Sequence, residues 1–402
     1  MQTIETYLAQ KWKETVRYTP QDEGMLIGLP YPYTVPCADG MFNEIYYWDT
    51  YFTNKGLLAA GEVQLAKDNC RNMLYLVGKF GYMPNGNLTI YLGRSQPPYL
   101  AMMVWDVYAA TADGAFLAAA YPVLQKEYAF WERARMTESG LNRHFADNTA
   151  EECAKSYADF RTRVKSPFSD PVEGGRNLLA EAESGWDFTA RFGGRCAHFN
   201  PVDLNSNLYR YEVLFARAER ELALSDGAAW EARALRRKQR IGALCCDRES
   251  KTYRDYDFTE RKRSSLYSAA MFWPYFMGVA ESGEGLAPLL ERLEAPYGVF
   301  TAERTEERYQ WGYPNVWAPC LYAAVVGCEN YGYSAAAARL AHKYIALIEK
   351  NYDATGKLWE KYNALDGNTQ SANEYATPEM MGWTAGVYTC LKQIYGNTRA
   401  GG

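Results

Sequence analysis

Five parts of this sequence combine tryptophan with amide, guanidinium and carboxylate side chains. They are residues 42–52, 84–87 with 94–98, 183–188, 310–319, and 360–362 with 374–375 and 382–384. Flat aromatic rings can stack on the apolar faces of a sugar, while carboxylate, amide and guanidinium groups hydrogen-bond its hydroxyls. These parts together predict a carbohydrate-binding pocket.

Asp187 has the surroundings expected of a general acid. It lies between Trp186 and Phe188, and an apolar setting raises the pKa of a carboxyl group, which keeps it protonated. The alternative role for Asp187 is a helix N-cap. Glu360 and Glu374 are two further carboxyl groups, in the last of these parts.

The composition favours carboxylate chemistry over histidine chemistry. There are 33 Tyr, 16 Phe and 11 Trp residues but only 3 His. The histidines are scattered without metal-ligand spacing, and no glycine-rich phosphate loop is present, so we expect no metal and no cofactor. A formal net charge of -5 disfavours nucleic acid and anionic membranes as partners. The expected partner is a small oligosaccharide or glucoside, and the oligomeric state stays open.

Two features lead us to expect a soluble, cytoplasmic protein. The first residues do not combine a basic region with an apolar one, and no run of about 18 apolar residues occurs. The nine cysteines are odd in number and form no C-x-x-C unit, which suits a reducing compartment.

Apolar residues spaced by three and four predict helices along most of the chain. The clearest patterns span residues 63–80, 100–110, 116–134, 204–224, 228–244, 265–279, 316–326, 335–348 and 380–394. With an N-terminal helix and weaker patterns near 50–60 and 147–162, the total approaches twelve. We therefore predict an all-α fold, an (α/α)6 toroid or barrel of about twelve helices, with an open helical solenoid as the alternative.

The site residues fall mostly between these helices, in stretches predicted to be connections. Those stretches are residues 29–50, 82–98, 166–205, 309–315 and 358–378. No low-complexity linker or change in composition divides the chain, so residues 1–402 are predicted to form one catalytic domain.

Several ordered motifs resemble those of the trehalases, glycoside hydrolase family 37, and more distantly family 63. Residues 47–52 match the family's Tyr-Trp-Asp-x-Tyr-Phe. The other matches are Pro-Asn-Gly-Asn at 84–87, Arg-Ser-Gln-Pro-Pro at 94–98, Ser-Gly-Trp-Asp at 184–187 and Pro-Val-Asp-Leu-Asn at 201–205. The resemblance runs from Phe42 to Val387. It implies a barrel of six helical hairpins and inverting hydrolysis of an α-linked glucoside.

The resemblance also implies roles for individual residues. It makes Asp187 the general acid and Glu360 the general base, although a Glu beside a Lys is ordinarily a solvated surface residue. The residues that it places against the substrate are Phe42, Trp48, Asp49, Asn85, Arg94, Gln96, Gly185, Trp186, Trp311 and Glu374.

The departures from the family pattern concern the leaving-group side. Met41 stands where the family has an arginine, and Gly312 replaces the Asp of Gln-Trp-Asp-x-Pro. The Arg-Pro-Glu segment is missing, and residues 369–373 replace a glycine run. We therefore expect a trehalase-like enzyme with altered leaving-group specificity. The alternatives are a true α,α-trehalase and a carbohydrate-binding protein without catalysis, while a sugar epimerase is disfavoured by the scarcity of histidine.

Overall fold

The computed structural model describes residues 2–162, 164–371, 377–379 and 382–396. Within them lie fourteen α-helices: α1 (Ile4–Glu14), α2 (Tyr47–Ala59), α3 (Val63–Phe80), α4 (Leu100–Thr111), α5 (Gly114–Ala134), α6 (Ala150–Phe160), α7 (Pro171–Ser184), α8 (Val202–Glu221), α9 (Ala228–Leu244), α10 (Trp273–Met277), α11 (Leu286–Leu293), α12 (Ala318–Asn330), α13 (Ser334–Thr355) and α14 (Gly382–Tyr395).

The strands are short and form four small antiparallel sheets within the described residues. Their bounds are β1 (Val16–Arg17), β2 (Tyr33–Thr34), β3 (Phe199–Asn200), β4 (Tyr256–Asp257), β5 (Lys262–Arg263), β6 (Glu294–Ala295), β7 (Gly298–Val299), β8 (Asn315–Trp317) and β9 (Lys361–Asn363). The sheets pair β1 with β2, β4 with both β3 and β5, β6 with β7, and β8 with β9.

Six helices form a closed inner ring. The helices α2, α4, α8, α10, α12 and α14 contact one another in that order, and α14 returns to α2. At this closure a Cβ atom on Gly56 would lie 2.3 Å from the Cα atom of Gly386, so only glycine permits the close approach. The closed ring confirms the predicted (α/α)6 barrel and excludes an open solenoid.

The outer layer covers this ring. The helices α3, α5, α9 and α13 each pack on an inner neighbour, and α11 packs on the 3-10 turn Ala269–Phe272 that leads into α10. The helix α1 reaches α13 through Tyr7 and Tyr352, whose ring centroids lie 5.2 Å apart. Beyond these twelve helices, α6 and α7 form an additional hairpin between α5 and α8.

The clearest predicted helices agree with the structure, and two regions differ. The helices α3 and α9 have the predicted bounds, because each carries one continuous apolar stripe. The predicted helix at 265–279 is instead a 3-10 turn followed by the five-residue α10, which ends at the left-handed Gly278. The helix predicted at 316–326 begins only after strand β8.

The connection predicted at residues 166–205 was wrong in its first half, because it contains α7. Asp170 caps this helix by accepting a hydrogen bond from the Val172 amide, and Pro171 occupies its first turn. Two consecutive interior glycines, Gly174 and Gly175, interrupt the apolar pattern, which is why it escaped prediction. The helix α11 was also not predicted.

Candidate active site

Side chains from the five predicted parts converge on one cavity of about 240 Å³. Its lining residues are Pro36, Phe42, Tyr46, Trp48, Asp49, Asn85, Tyr91, Arg94, Gln96, Ala182, Gly185, Asp187, Gln310, Trp311, Trp317, Glu360 and Trp383. Of the twelve predicted site residues, ten are in this lining. Trp186 is not, and Glu374 lies outside the residues that the structure describes.

The beginning of α2 is attached to the loop that carries the next two motifs. The amide of Tyr47 donates to the Asn85 carbonyl at 3.1 Å, and the amide of Trp48 donates to Gln96 Oε1 at 3.3 Å. The Asn85 amide in turn donates to the Arg94 carbonyl at 3.1 Å. These bonds place Asp49, in the first turn of α2, beside the amide and guanidinium groups of that loop.

Asp187 follows the end of α7, where the chain turns sharply into the cavity. Gly185 ends the helix at φ 75°, and a Cβ atom there would lie 2.7 Å from the Trp48 ring. Asp187 is half-buried in an irregular segment, and its carbonyl accepts a hydrogen bond from Gln310 Nε2 at 2.5 Å. The next helical turn begins only at Cys196, so Asp187 is not a helix N-cap.

Glu360 is buried at the start of β9 rather than exposed. Its side chain is 2% exposed, and its Oε2 atom lies 2.5 Å from Lys361 Nζ. The Glu360 carbonyl accepts hydrogen bonds from Trp383 Nε1 at 3.1 Å and from Thr384 Oγ1 at 3.2 Å. The alternative of a solvated surface residue is therefore wrong for Glu360.

Tryptophan rings form one wall of the cavity. Trp311 stacks on Trp317 with centroids 3.9 Å apart and planes at 4°, and Trp48 lies 5.4 Å from Trp311 and 5.9 Å from Trp383. Trp186 packs behind this wall, 5.3 Å from Trp311. The prediction of Trp186 as a residue lining the pocket is corrected accordingly, because its buried ring supports Trp311.

The charged groups of the cavity influence one another. Burial raises the pKa of Asp49 well above its usual range, and the negative charges of Glu360 and Asp187 raise it further. These effects favour the protonated form of Asp49. Burial lowers the pKa of Arg94, an effect that Tyr91 and Asp187 partly offset.

Three polar atoms of the cavity have no hydrogen-bond partner among the described residues. Arg94 Nε and Asn85 Nδ2 are buried donors in this position, and Gln310 Oε1 is a buried acceptor. Since an unpaired buried polar atom is costly, these atoms are suited to hydroxyl groups of a bound sugar.

The structure adds lining residues that the sequence argument did not select. Gln310 and Trp317 belong to the segment 310–319, which was recognised, but their orientation could not be read from an aperiodic loop. Tyr46 and Tyr91 share a hydrogen bond of 2.7 Å and contribute to the opposite side of the lining. Both tyrosines lie close to a matched motif in the sequence, before residues 47–52 and before residues 94–98. This proximity was the only sign in the sequence that they could line the pocket.

An (α/α)6 barrel whose cavity combines carboxyl groups with tryptophan walls is typical of glycoside hydrolases. A sequence model of the trehalase family matches residues 1–396. The chain is 34% identical to the periplasmic trehalase of Pseudomonas aeruginosa, over 98% of this chain and 77% of that protein. A periplasmic trehalase of Xanthomonas axonopodis is also 34% identical, over 96% and 72% of the two chains.

Solved structures agree with these sequence relatives. The neutral trehalase of Saccharomyces cerevisiae superimposes with a TM-score of 0.77 at 27% identity, over 92% of this chain and 74% of that chain. A family 63 mannosylglycerate hydrolase of Thermus thermophilus shares the fold, with a TM-score of 0.68 at 19% identity over 96% and 99% of the chains. The chain belongs to the trehalase family and is a glycoside hydrolase.

The names of these relatives contradict the predicted cytoplasmic location, because they assign the related bacterial proteins to the periplasm. The cysteine argument was weak for a physical reason. Seven of the nine free cysteines are buried, and a buried thiol behaves as a small apolar side chain whatever the compartment. None of the described helices is both long and apolar enough to cross a membrane.

Proposed function

We propose that this glycoside hydrolase cleaves an α-linked glucoside with inversion, using Asp187 as general acid and Glu360 as general base. The observation that carries the proposal is that both carboxyl groups line one cavity walled by tryptophan. They come from separate parts of the chain, the segment after α7 and the start of β9. An inverting enzyme needs two carboxyl groups that approach the sugar from opposite sides.

In this reaction Asp187 donates its proton to the glycosidic oxygen as the bond to the anomeric carbon breaks. Glu360 removes a proton from the water that attacks that carbon from the other face. The ammonium of Lys361 lies 2.5 Å from Glu360 Oε2 and holds this carboxylate in place. Asp49, whose surroundings favour its protonated form, is a hydrogen-bond donor toward the substrate.

Two candidate leaving groups follow from different observations. The relatives named trehalases favour glucose in an α,α-1,1 linkage. The missing charged groups at Met41 and Gly312 favour a different leaving group, because a site that lacks these polar partners binds the second sugar less specifically. A further proposal is that residues 1–402 form one catalytic domain, since the family match covers residues 1–396.

A substrate panel tests the leaving group and the stereochemistry together. Purified protein is incubated with trehalose, kojibiose, sucrose and glucosylglycerate, and NMR follows the anomer of the glucose released. Inversion predicts β-glucose as the first product from sucrose and glucosylglycerate, and equal amounts of α- and β-glucose from trehalose, because the leaving glucose keeps its α configuration. Trehalose turnover at the highest kcat/KM of the panel would contradict altered specificity and support a true α,α-trehalase, whereas α-glucose as first product from sucrose or glucosylglycerate would contradict inversion.

Isosteric variants test the two catalytic assignments. We expect Asp187→Asn and Glu360→Gln to lower kcat by about 10²- to 10⁴-fold with little change in Tm. Glu249→Gln is the matched control, because Glu249 is exposed on the surface and its loss should leave kcat unchanged. Full activity in either catalytic variant would disprove the corresponding role. Substrate binding without hydrolysis in the wild-type protein would indicate a carbohydrate-binding protein.

A further inference from the structure

A second cavity, of about 380 Å³, is enclosed by the inner helices. The residues that matter for its chemistry are Tyr51, Lys55, Trp105, Asp106, Arg210 and Tyr322. They come from four inner helices, α2, α4, α8 and α12. The cavity is therefore inside the ring rather than on the outer layer.

This second cavity lies farther along the same helices, away from the active site. In α2 the active site uses Trp48 and Asp49 in the first turn, whereas Lys55 lines the second cavity. In α12 the active site uses Trp317, which immediately precedes the helix, whereas Tyr322 lines the second cavity. The two cavities thus occupy opposite ends of the barrel.

The charged groups of the second cavity do not balance. Lys55 Nζ lies 2.6 Å from Asp106 Oδ2, so these two charges compensate each other. Arg210 also lines the cavity, and within the described part of the chain it has neither an ion pair nor a hydrogen bond. Burial and the positive charge of Arg217 lower its pKa, and Tyr51 and Asp106 partly offset this effect. Among these three charged side chains, the partly enclosed space therefore holds one more positive charge than negative charges.

Residues 233–240 of α9 form a basic cluster, and its buried arginine provides a comparison with Arg210. Arg237 is buried, but its Nε donates to Glu212 at 2.8 Å and its Nη2 donates to Glu132 at 3.0 Å. Arg233 also pairs with Glu132, at 2.5 Å. These two arginines are thus paired with carboxylates, in contrast to Arg210.

We propose that the second cavity binds a monosaccharide that carries one anionic group, a carboxylate or a phosphate. The anionic group pairs with the guanidinium of Arg210, whose fork of N–H donors matches planar carboxylate and phosphate oxygens. The sugar ring packs on the aromatic side chains of Trp105 and Tyr322. The volume of about 380 Å³ lies within the range of small-molecule sites. This binding is independent of the proposed hydrolysis.

Isothermal titration calorimetry on the full chain tests the proposal. The probes are glucose 6-phosphate, glucuronate, glucose and inorganic phosphate, so that the phosphate and carboxylate sources are separated. The wild-type protein is compared with Arg210→Gln and with Arg220→Gln. Arg220 is an exposed residue of the same helix that pairs with Glu231, so its variant makes the same charge change outside the cavity.

We expect at least one anionic sugar to bind the wild-type protein and the Arg220→Gln variant with equal affinity, and to bind Arg210→Gln about tenfold more weakly. Neutral glucose should not distinguish the three proteins. Equal binding to the wild-type protein and Arg210→Gln would overturn the proposal. The anion would then occupy another site, such as the active-site cavity that contains Arg94. Absence of binding by both anionic sugars would also overturn it.

A second variant keeps the proposal testable if Arg210→Gln is poorly folded, as judged by its Tm. Trp105 is half-buried in the cavity wall, and Trp105→Leu removes an aromatic face without changing charge. It should weaken binding of the anionic sugar about threefold or more and leave inorganic phosphate binding unchanged. An unchanged affinity for the anionic sugar in Trp105→Leu would contradict the assigned position of the ring.

Discussion

Glu183 and Asp49 are both buried carboxyl groups near the same cavity, but their surroundings are opposite. Glu183 accepts hydrogen bonds from the Ser95 and Phe145 amides at 2.9 and 3.1 Å, and Arg135 Nη2 donates to it at 2.9 Å. Burial alone would raise the pKa of Glu183, but the charge of Arg135 and a hydrogen bond from His144 outweigh burial and lower it to about 2.

Asp49 has no comparable set of donors, and its charged neighbours Glu360 and Asp187 are acidic. Its pKa is raised while that of Glu183 is lowered, although both groups are buried. The difference distinguishes a structural buried carboxyl group from one that faces a binding cavity. Glu183 is structural, since it links the end of α7 to the motif that begins at Arg94. Asp49 faces a cavity in surroundings that favour its protonated form.

An amide replacement at Glu183 should have the largest effect on stability. The change Glu183→Gln leaves Arg135, which is fully buried, beside a neutral group, with the exposed Asp147 at 2.8 Å as its remaining carboxylate partner. Breaking a buried ion pair costs about 3–5 kcal/mol, and we expect that loss in the free energy of unfolding measured with urea. Glu173→Gln is the control, because Glu173 lies on the same helix with a side chain 46% exposed. A loss below about 1 kcal/mol in Glu183→Gln would show that the ion pair is not structural.

Glu127 is an intermediate case, with hydrogen-bond donors but no cation. Burial raises its pKa from the ordinary value of 4.5 to about 7, although hydrogen bonds from Tyr47 and Tyr211 favour the charged form. A folded state with the higher pKa binds the proton more tightly than the unfolded state does. The stabilisation is therefore complete below about pH 4.5 and is lost as the pH rises through about 7.

The expected loss from Glu127 is about 3 kcal/mol between pH 4.5 and pH 8. Thermal unfolding of the wild-type protein and of Glu127→Gln across this range measures it, since Gln cannot titrate. The difference in Tm between the two proteins should shift in favour of Glu127→Gln as the pH rises. The lowered pKa of Glu183 has the opposite sign, because its stabilisation is lost as the pH falls from about 4.5 to 2. Parallel pH profiles for the two proteins would contradict the raised pKa of Glu127.

The sequence predicted the barrel because most of its helices carry an apolar stripe, as α3 does from Val63 to Phe80. It missed α7, where Gly174 and Gly175 break the stripe and the capping signals at Asp170 and Gly185 stand alone. It also missed that α6 and α7 are added to the twelve-helix plan. The spacing of apolar residues shows which face of a helix is buried. It gives little information where two consecutive glycines take the place of apolar side chains, as Gly174 and Gly175 do.

The site was predicted at the level of segments rather than of side-chain directions. Trp186 and Asp187 are adjacent, yet only Asp187 lines the cavity, and a loop has no period from which to read this alternation. Charged residues are usually exposed, whereas Glu360 is buried beside Lys361. Only the family resemblance therefore identified Glu360 as a site residue. Its pairing with Lys361 and the packing of that lysine 4.6 Å from the Trp317 ring depend on tertiary structure.

The same amide replacement should have its smallest effect at Asp49. A protonated carboxyl group and an amide both offer one acceptor oxygen and a donor, so Asp49→Asn preserves the hydrogen-bonding character that the raised pKa of Asp49 implies. We expect kcat/KM on the preferred substrate to fall by less than about tenfold, with Tm unchanged or raised. Asp49→Ala, which removes the hydrogen bonds, should lose more activity. If Asp49→Asn loses as much activity as Asp187→Asn, then Asp49 acts as a charged carboxylate and its contrast with Glu183 fails.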